Sequence, residues 1–186
     1  MTHYFIGSPG QRPRLMVNTP AEAGKVIQEG EVFLSSDTLD DFVITADGQA
    51  LDLRVPPLDE AKAIKAGLVS AETAGRLLGG YTPQTGPLAG ERLQTRESDQ
   101  LKWLTSHAAY STAVAAGQGA VMGADFRPQS NNTITVTYAD GLQILLDMAA
   151  WGKAIMNHSW SLKDAIAASS DQAELDAIDI TTGWPS

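Results

Sequence analysis

The run from Asp140 to Pro185 constrains this chain more than any other stretch, because it joins a long apolar stripe, a second helix start and a Trp-Pro stop without a break. Ile144, Met148, Trp151, Ile155, Leu162 and Ile166 follow at spacings of four, three, four, seven and four, which sets them on one helical face. An apolar face of that length has to be covered by other elements. Asp140 stands where an N-cap belongs, and the poor helix formers Asn157, His158 and Ser159 predict a bend before Ser169. Asp171 with Glu174 three residues on has capping-box spacing and starts a last short helix, with Leu175, Ile178 and Ile180 on its apolar side.

The cover comes from upstream. Ser98 is placed to cap a helix reaching about Ala116, with Trp103, His107, Tyr110 and Val114 on one face and Leu101, Leu104, Ala108 and Ala115 on another. Val121 to Phe126 and Thr133 to Tyr138 flank Pro128-Gln129-Ser130-Asn131-Asn132 and predict a hairpin, whose second strand alternates Ile134, Val136 and Tyr138 with threonines. Two strands alone are marginal, so they must lie against helices. Ahead of them, Leu58 to Ala66 ends at Gly67 and Ser70 to Leu78 ends at Gly79-Gly80, which predicts two short helices. Gly79 to Gly90 has glycine or proline at six of its twelve positions and is expected to be a linker.

Residues 2–57 predict short strands at Tyr4 to Ile6, Leu15 to Val17, Val32 to Leu34, Phe42 to Ile44 and Leu51 to Val55, with a single helical turn where Thr19, Pro20 and Glu22 form a capping box. The expected fold class is therefore α+β. A β-rich interaction unit occupies 1–57, a helical and Gly/Pro-rich connector 58–92, and a hairpin packed with three or four helices 93–186.

Charge and composition limit the function. Thirteen basic against 22 acidic residues leave a net charge of -9, whose field repels polyanions, and no local basic patch is visible, so no nucleic-acid partner is expected. The absence of cysteine removes disulfides, thiolate metal sites and cysteine nucleophiles together. Met1 to Gly10 lacks the pattern of a signal peptide, and no segment approaches the roughly 18 apolar residues of a membrane span, so a soluble protein is expected.

Candidate chemical groups each have a plainer explanation. His3, His107 and His158 are scattered and have no metal-ligand spacing, and His107 fits a half-buried packing role. Asp171, Glu174, Asp176 and Asp179 suit capping and a solvated face better than a carboxylate pair for glycan cleavage. Gly79 to Gly90 lacks a phosphate-loop ending, Gly117-Gln118-Gly119 follows a helix, and Ser8 has no nucleophile-elbow motif. No enzyme, no cofactor and no metal site is expected. Trp103, Trp151, Trp160 and Trp184 all lie in the second half, where most should fill a core. Trp160 and Trp184, beside a predicted break and the chain end, are the candidate partner-binding residues.

Several segments carry a family likeness. The helix from Glu97, the hairpin strand Thr133-Ile134-Thr135-Val136, Lys163-Asp164-Ala165-Ile166, and Glu174 to Asp179 closing on Gly183-Trp184-Pro185 resemble a C-terminal domain of uncharacterised function. That family is found in tailed-phage and prophage proteins associated with tail fibres, similar in layout to tail-fibre-assembly proteins. The likeness covers the last ninety or so residues and departs at Phe126, where the family carries tryptophan. It implies a non-enzymatic structural adaptor of a bacteriophage tail near the fibre or baseplate attachment region, with other tail or fibre proteins as partners. Multiple copies in a symmetric assembly would follow, located in the virion and, during assembly, in the host cytoplasm. The alternative it implies is a fibre-assembly chaperone absent from the mature particle. The likeness does not reach the first ninety residues, which are expected to carry partner specificity.

Overall fold

The computed structural model describes residues 2–185, and the chain divides into two compact units, Met1–Pro57 and Leu58–Ser186. The fold is α+β, with its strands in small antiparallel sheets.

In the first unit, β1 (His3–Gly7) is the central strand between β2 (Leu15–Val17) and β3 (Val32–Ser36), antiparallel to both. Phe5 stands opposite Met16 on one side and Leu34 on the other. A second hairpin pairs β4 (Phe42–Ile44) with β5 (Leu51–Leu53). Gly10 and Gln11 bind it to the first sheet through the backbone, since Gly10 N donates to Ile44 O and Ile44 N donates to Gln11 O. Phe5, Ile6, Ala23, Phe42 and Ile44 form the small core, where the Phe5 and Phe42 rings meet edge to face at 5.3 Å. The expected helical turn is longer, α1 (Pro20–Val26): Thr19 Oγ1 accepts from Glu22 N, and the Glu22 carboxylate reaches back to Asn18 N. Arg14 clasps Glu31 with two hydrogen bonds, 2.8 and 2.7 Å, across β2 and the turn before β3. That guanidinium, helped by Gln28 N–H, lowers the Glu31 pKa from 4.5 to about 2.

The second unit is built along one helix. It contains α2 (Leu58–Gly79), α3 (Glu97–Ala115), the hairpin β6 (Met122–Phe126) and β7 (Ile134–Thr137), α4 (Tyr138–Ala168) and α5 (Gln172–Ala177). The predicted stripe on α4 covers two cores in succession. Ile144, Leu145 and Met148 pack with Tyr110 of α3, with Ala124, Phe126 and Val136 of the hairpin, and with Tyr81, Leu88 and Leu93. About five turns further on, Ile166 packs with Ala61 and Val69 of α2 and with Leu175 of α5.

Four expectations are corrected, each by a contact remote in sequence. The two short helices over 58–78 are one helix of 22 residues, because Val69 and Thr73 are buried against α4 on either side of the apparent restart; Ser70 caps nothing and donates to Ala66 O. Gly67 sits on the open face of α2, where an added Cβ would meet nothing within 4 Å, so the roughly 1 kcal/mol that a helical glycine costs is absorbed by packing on the far side. Residues 79–93 are no linker. Tyr81 and Leu93 exchange backbone hydrogen bonds at 2.9 and 2.7 Å, closing a loop that inserts the wholly buried Leu88 into the first core. The connector over 58–92 is thus part of the second unit. Finally, α4 runs unbroken for 31 residues, since Ser159 is buried and hydrogen-bonds the Thr73 hydroxyl at 2.9 Å.

Two helix starts also move. Thr137, not Asp140, caps α4: its hydroxyl accepts from Asp140 N and donates to the Asp140 carboxylate, a closed capping pair. Ser98 lies inside the first turn of α3, whose N-cap position is Arg96. Asp171 caps α5 as its spacing predicts. No helix among the described residues is long and apolar enough to cross a membrane.

Gly141 lets α4 lie close on the hairpin and α3, since an added Cβ would stand 2.5 Å from Ala124 Cβ and 3.2 Å from the Tyr110 ring. Gly141→Ala should therefore destabilise the second unit by about 1–3 kcal/mol, whereas Gly67→Ala, on open surface, should stabilise it by up to about 1 kcal/mol; thermal unfolding of the two variants checks both signs. In the first unit, a carboxyl with a lowered folded pKa stabilises above its ordinary value and loses that contribution as the pH falls toward about 2. Glu31→Gln should accordingly lower the unfolding temperature near neutral pH and leave it unchanged once the pH is below the folded pKa.

Candidate functional site

The two candidate tryptophans have different surroundings. Trp184 is seated on its own domain: its indole N–H donates to Ile180 O at 2.9 Å, His158 meets its ring edge-on at 4.6 Å, and the Arg76 guanidinium lies 5.0 Å from its centroid. His158 in turn bonds Thr182 O. Residues 182–184 are thereby fastened to α2 and α4, and Trp184 packs on the Ala61, Val69, Ile166 and Leu175 core. Trp160 is 55% exposed on the outward side of α4.

Other titratable groups are mostly occupied with structure. Glu174 accepts from Ser170 N and Oγ, Asp176 from Gln172, and Asp179 from Thr181 N, Thr181 Oγ1 and Thr182 Oγ1. The threonine hydroxyls and amides around Asp179 lower its pKa to about 2, so it stays ionised and anchors the terminal turn. His107 is half-buried on α3, and His3 Nδ1 is buried without a partner in the described structure. Among the described residues no three His, Asp or Glu side chains gather as metal ligands.

Two surfaces stand out that spacing alone did not reveal. The first is the outer side of α2, where every exposed position from 63 to 79 is Ala, Gly, Ser, Ile or Leu. Ile64, Leu68 and Leu78 are 53%, 54% and 44% exposed and recur with Ala71 and Gly75 at alternating spacings of four and three, the pattern of a helix that packs on another surface. Its charged side chains are turned elsewhere: Lys62 Nζ donates to Ala167 O, Lys65 Nζ to Leu175 O, and Glu72 pairs with Arg76 at 2.7 Å.

The second is a groove formed by three adjoining cavities of about 590, 160 and 360 Å³ between the end of α2, the 79–93 loop, the start of α3 and the hairpin loop. Its walls are fixed by Gln129 N donating to Arg92 O and by Ser130 Oγ donating to Glu91. Arg76, Arg92, Arg96, Lys102 and Arg127 face it, against Glu72, Asp99 and Asp125. Five cations to three carboxylates make a basic surface in an acidic chain. It corrects the expectation that no basic patch exists; only Arg92 and Arg96, four apart, hinted at it. Asp99 is buried beneath the rim, and the Arg96 guanidinium, assisted by Lys102, holds its carboxyl below the usual range. Trp103 forms part of the floor, stacked on Phe126 at 5.7 Å, with its indole N–H donating to Gln94 O.

A family described as a domain of unknown function, DUF4376, matches residues 60–182, about two thirds of the chain. The chain belongs to this family. The DUF4376 match begins within the first turn of α2, so it takes in most of α2 and the 79–93 loop, which the likeness seen in the sequence had left out. No curated protein and no solved structure matches the chain.

The two tryptophans should respond differently to truncation. Trp184→Ala should cost about 1–3 kcal/mol and speed amide hydrogen exchange across residues 178–185, whereas Trp160→Ala should leave stability within about 0.5 kcal/mol of the parent.

Proposed function

We propose that the chain is a non-enzymatic structural adaptor of a bacteriophage tail, situated near the fibre or baseplate attachment region and binding other tail or fibre proteins there. The observation that carries a protein-binding role is the outer side of α2, which exposes Ile64, Leu68 and Leu78 in a row free of charge. Lone exposed apolar side chains are ordinary, but a row of them along four turns of one helix in a chain of net charge -9 costs solubility unless something packs there. Gly67 and Gly75 on the same face let a neighbouring backbone come close. The phage setting is supported by the sequence likeness of the hairpin strand, the Lys163 to Ile166 segment and the Gly183-Trp184-Pro185 ending. The same setting gives the location: the tail of the virion, and the host cytoplasm while it is assembled.

The α2 surface should be separable from the fold. Leu68→Asp should leave thermal stability within about 0.5 kcal/mol while removing the chain from purified particles, as read by mass spectrometry. Finding the parent chain at fixed stoichiometry in virions is the expected result. Its absence from virions, with fibres misassembled when it is deleted, would replace the adaptor by an assembly chaperone.

A further inference from the structure

The groove between α2, α3 and the hairpin loop carries more cations than carboxylates, and its carboxylates are already engaged. Asp99 is held by Arg96 at 2.9 Å and Lys102 at 3.4 Å, Glu72 by Arg76, and Asp125 accepts from Thr135. Arg92 and Arg127 are the two guanidiniums there with no carboxylate partner among the described residues. Both are fixed in the same way, through Nε donating to a neutral oxygen: Gly79 O at 2.7 Å for Arg92, and Asn131 Oδ1 at 2.8 Å for Arg127. A guanidinium held by Nε keeps its two terminal nitrogens for a ligand, and a carboxylate is the acceptor whose two oxygens match that fork.

The geometry points to this groove as the binding site for an extended acidic segment of a partner protein, with Arg92 and Arg127 each taking one Asp or Glu side chain. The spacing of charge favours a peptide over a polyanion. Nucleic acid or sulfated glycan carries an anion at nearly every unit and would set some of them against Asp99, Asp125 and Glu72, whereas a peptide can place its carboxylates apart. The Gln94 and Gln129 amides offer both donors and acceptors to peptide groups, and Trp103 offers an apolar ring to the side chains between the acidic ones. This inference rests on the adaptor reading only in taking the occupant to be a protein, and it supplies that partner's chemistry.

A display selection of random peptides of about 12 residues on the immobilised full chain tests it, followed by fluorescence anisotropy of a labelled selected peptide. Selected sequences should hold at least two separated Asp or Glu residues, and binding should weaken as NaCl rises from about 50 to about 500 mM. Arg92→Gln with Arg127→Gln should reduce affinity at least about tenfold, with the circular dichroism spectrum unchanged, while Lys153→Gln on the exposed side of α4 should not alter it. Arg127→Glu gives a second reading: it should lose the acidic peptide and regain binding when one peptide carboxylate is replaced by lysine. Selection without acidic enrichment, equal affinity for the double variant, or binding of a heparin oligosaccharide or a single-stranded oligonucleotide in preference to every selected peptide would overturn the proposal. None of these results depends on whether the chain is present in virions, so the assembly assignment and the groove fail separately.

Discussion

The second unit depends on α4 remaining a single straight-through helix past Ser159. That residue is a hydroxyl at a fully buried position, which costs stability unless it is paired, and it is paired with Thr73 of α2. The bond stands on the helix that serves both cores, so one element aligns the hairpin and α3 at one end with α2 and α5 at the other. Neither core holds more than about ten buried residues, and a division there would leave two clusters too small to stand alone. Trp184 reinforces the second cluster, and Asp179 fixes the turn that delivers it.

This arrangement determines where surfaces for partners can lie. Because α2 uses Ala61, Val69 and Thr73 to reach α4, its opposite side is left facing solvent along most of its length, and that side is uncharged. Because the 79–93 loop is closed on itself and plugged into the first core by Leu88, it can hold Arg92 rigidly beside the hairpin loop that holds Arg127. The two surfaces differ in kind. One is apolar and flat, fitted to packing; the other is basic and recessed, fitted to carboxylates. The proposed protein-binding role draws on both, and the acidic remainder of the molecule would repel the same acidic ligand from elsewhere.

What could be foreseen from the chain follows the range of the interactions concerned. The strands of the first unit, the Thr19 and Asp171 caps, the hairpin and the α4 stripe were legible because each is set within a few residues by alternation, capping chemistry or helical spacing. The continuity of α2 was not: Gly67 and Ser70 are a plausible stop and start, and only Val69 and Thr73 meeting α4 overrule them. The 79–93 loop has the composition of a linker, yet Leu88 is buried by residues of α3, α4 and the hairpin, which lie far along the chain. Arg92 and Arg127 have no spacing signal at all, since 35 positions separate them and the groove exists only once the loops are in place. Of the two tryptophans that the sequence singles out, Trp184 is fastened to its own domain, and Trp160 is exposed on the surface.

Residues 58–92 belong to the body of the second unit and are not a flexible connector. Amide hydrogen exchange on the full chain, read by mass spectrometry, is the decisive check. The Tyr81 and Leu93 amides, which bond each other's carbonyls, and the amides of α2 from Ala61 through Thr73 should be protected to the same degree as the middle of α4. Exchange of the 80–93 segment at the rate of an unstructured peptide, while α4 stays protected, would make it a flexible connector after all.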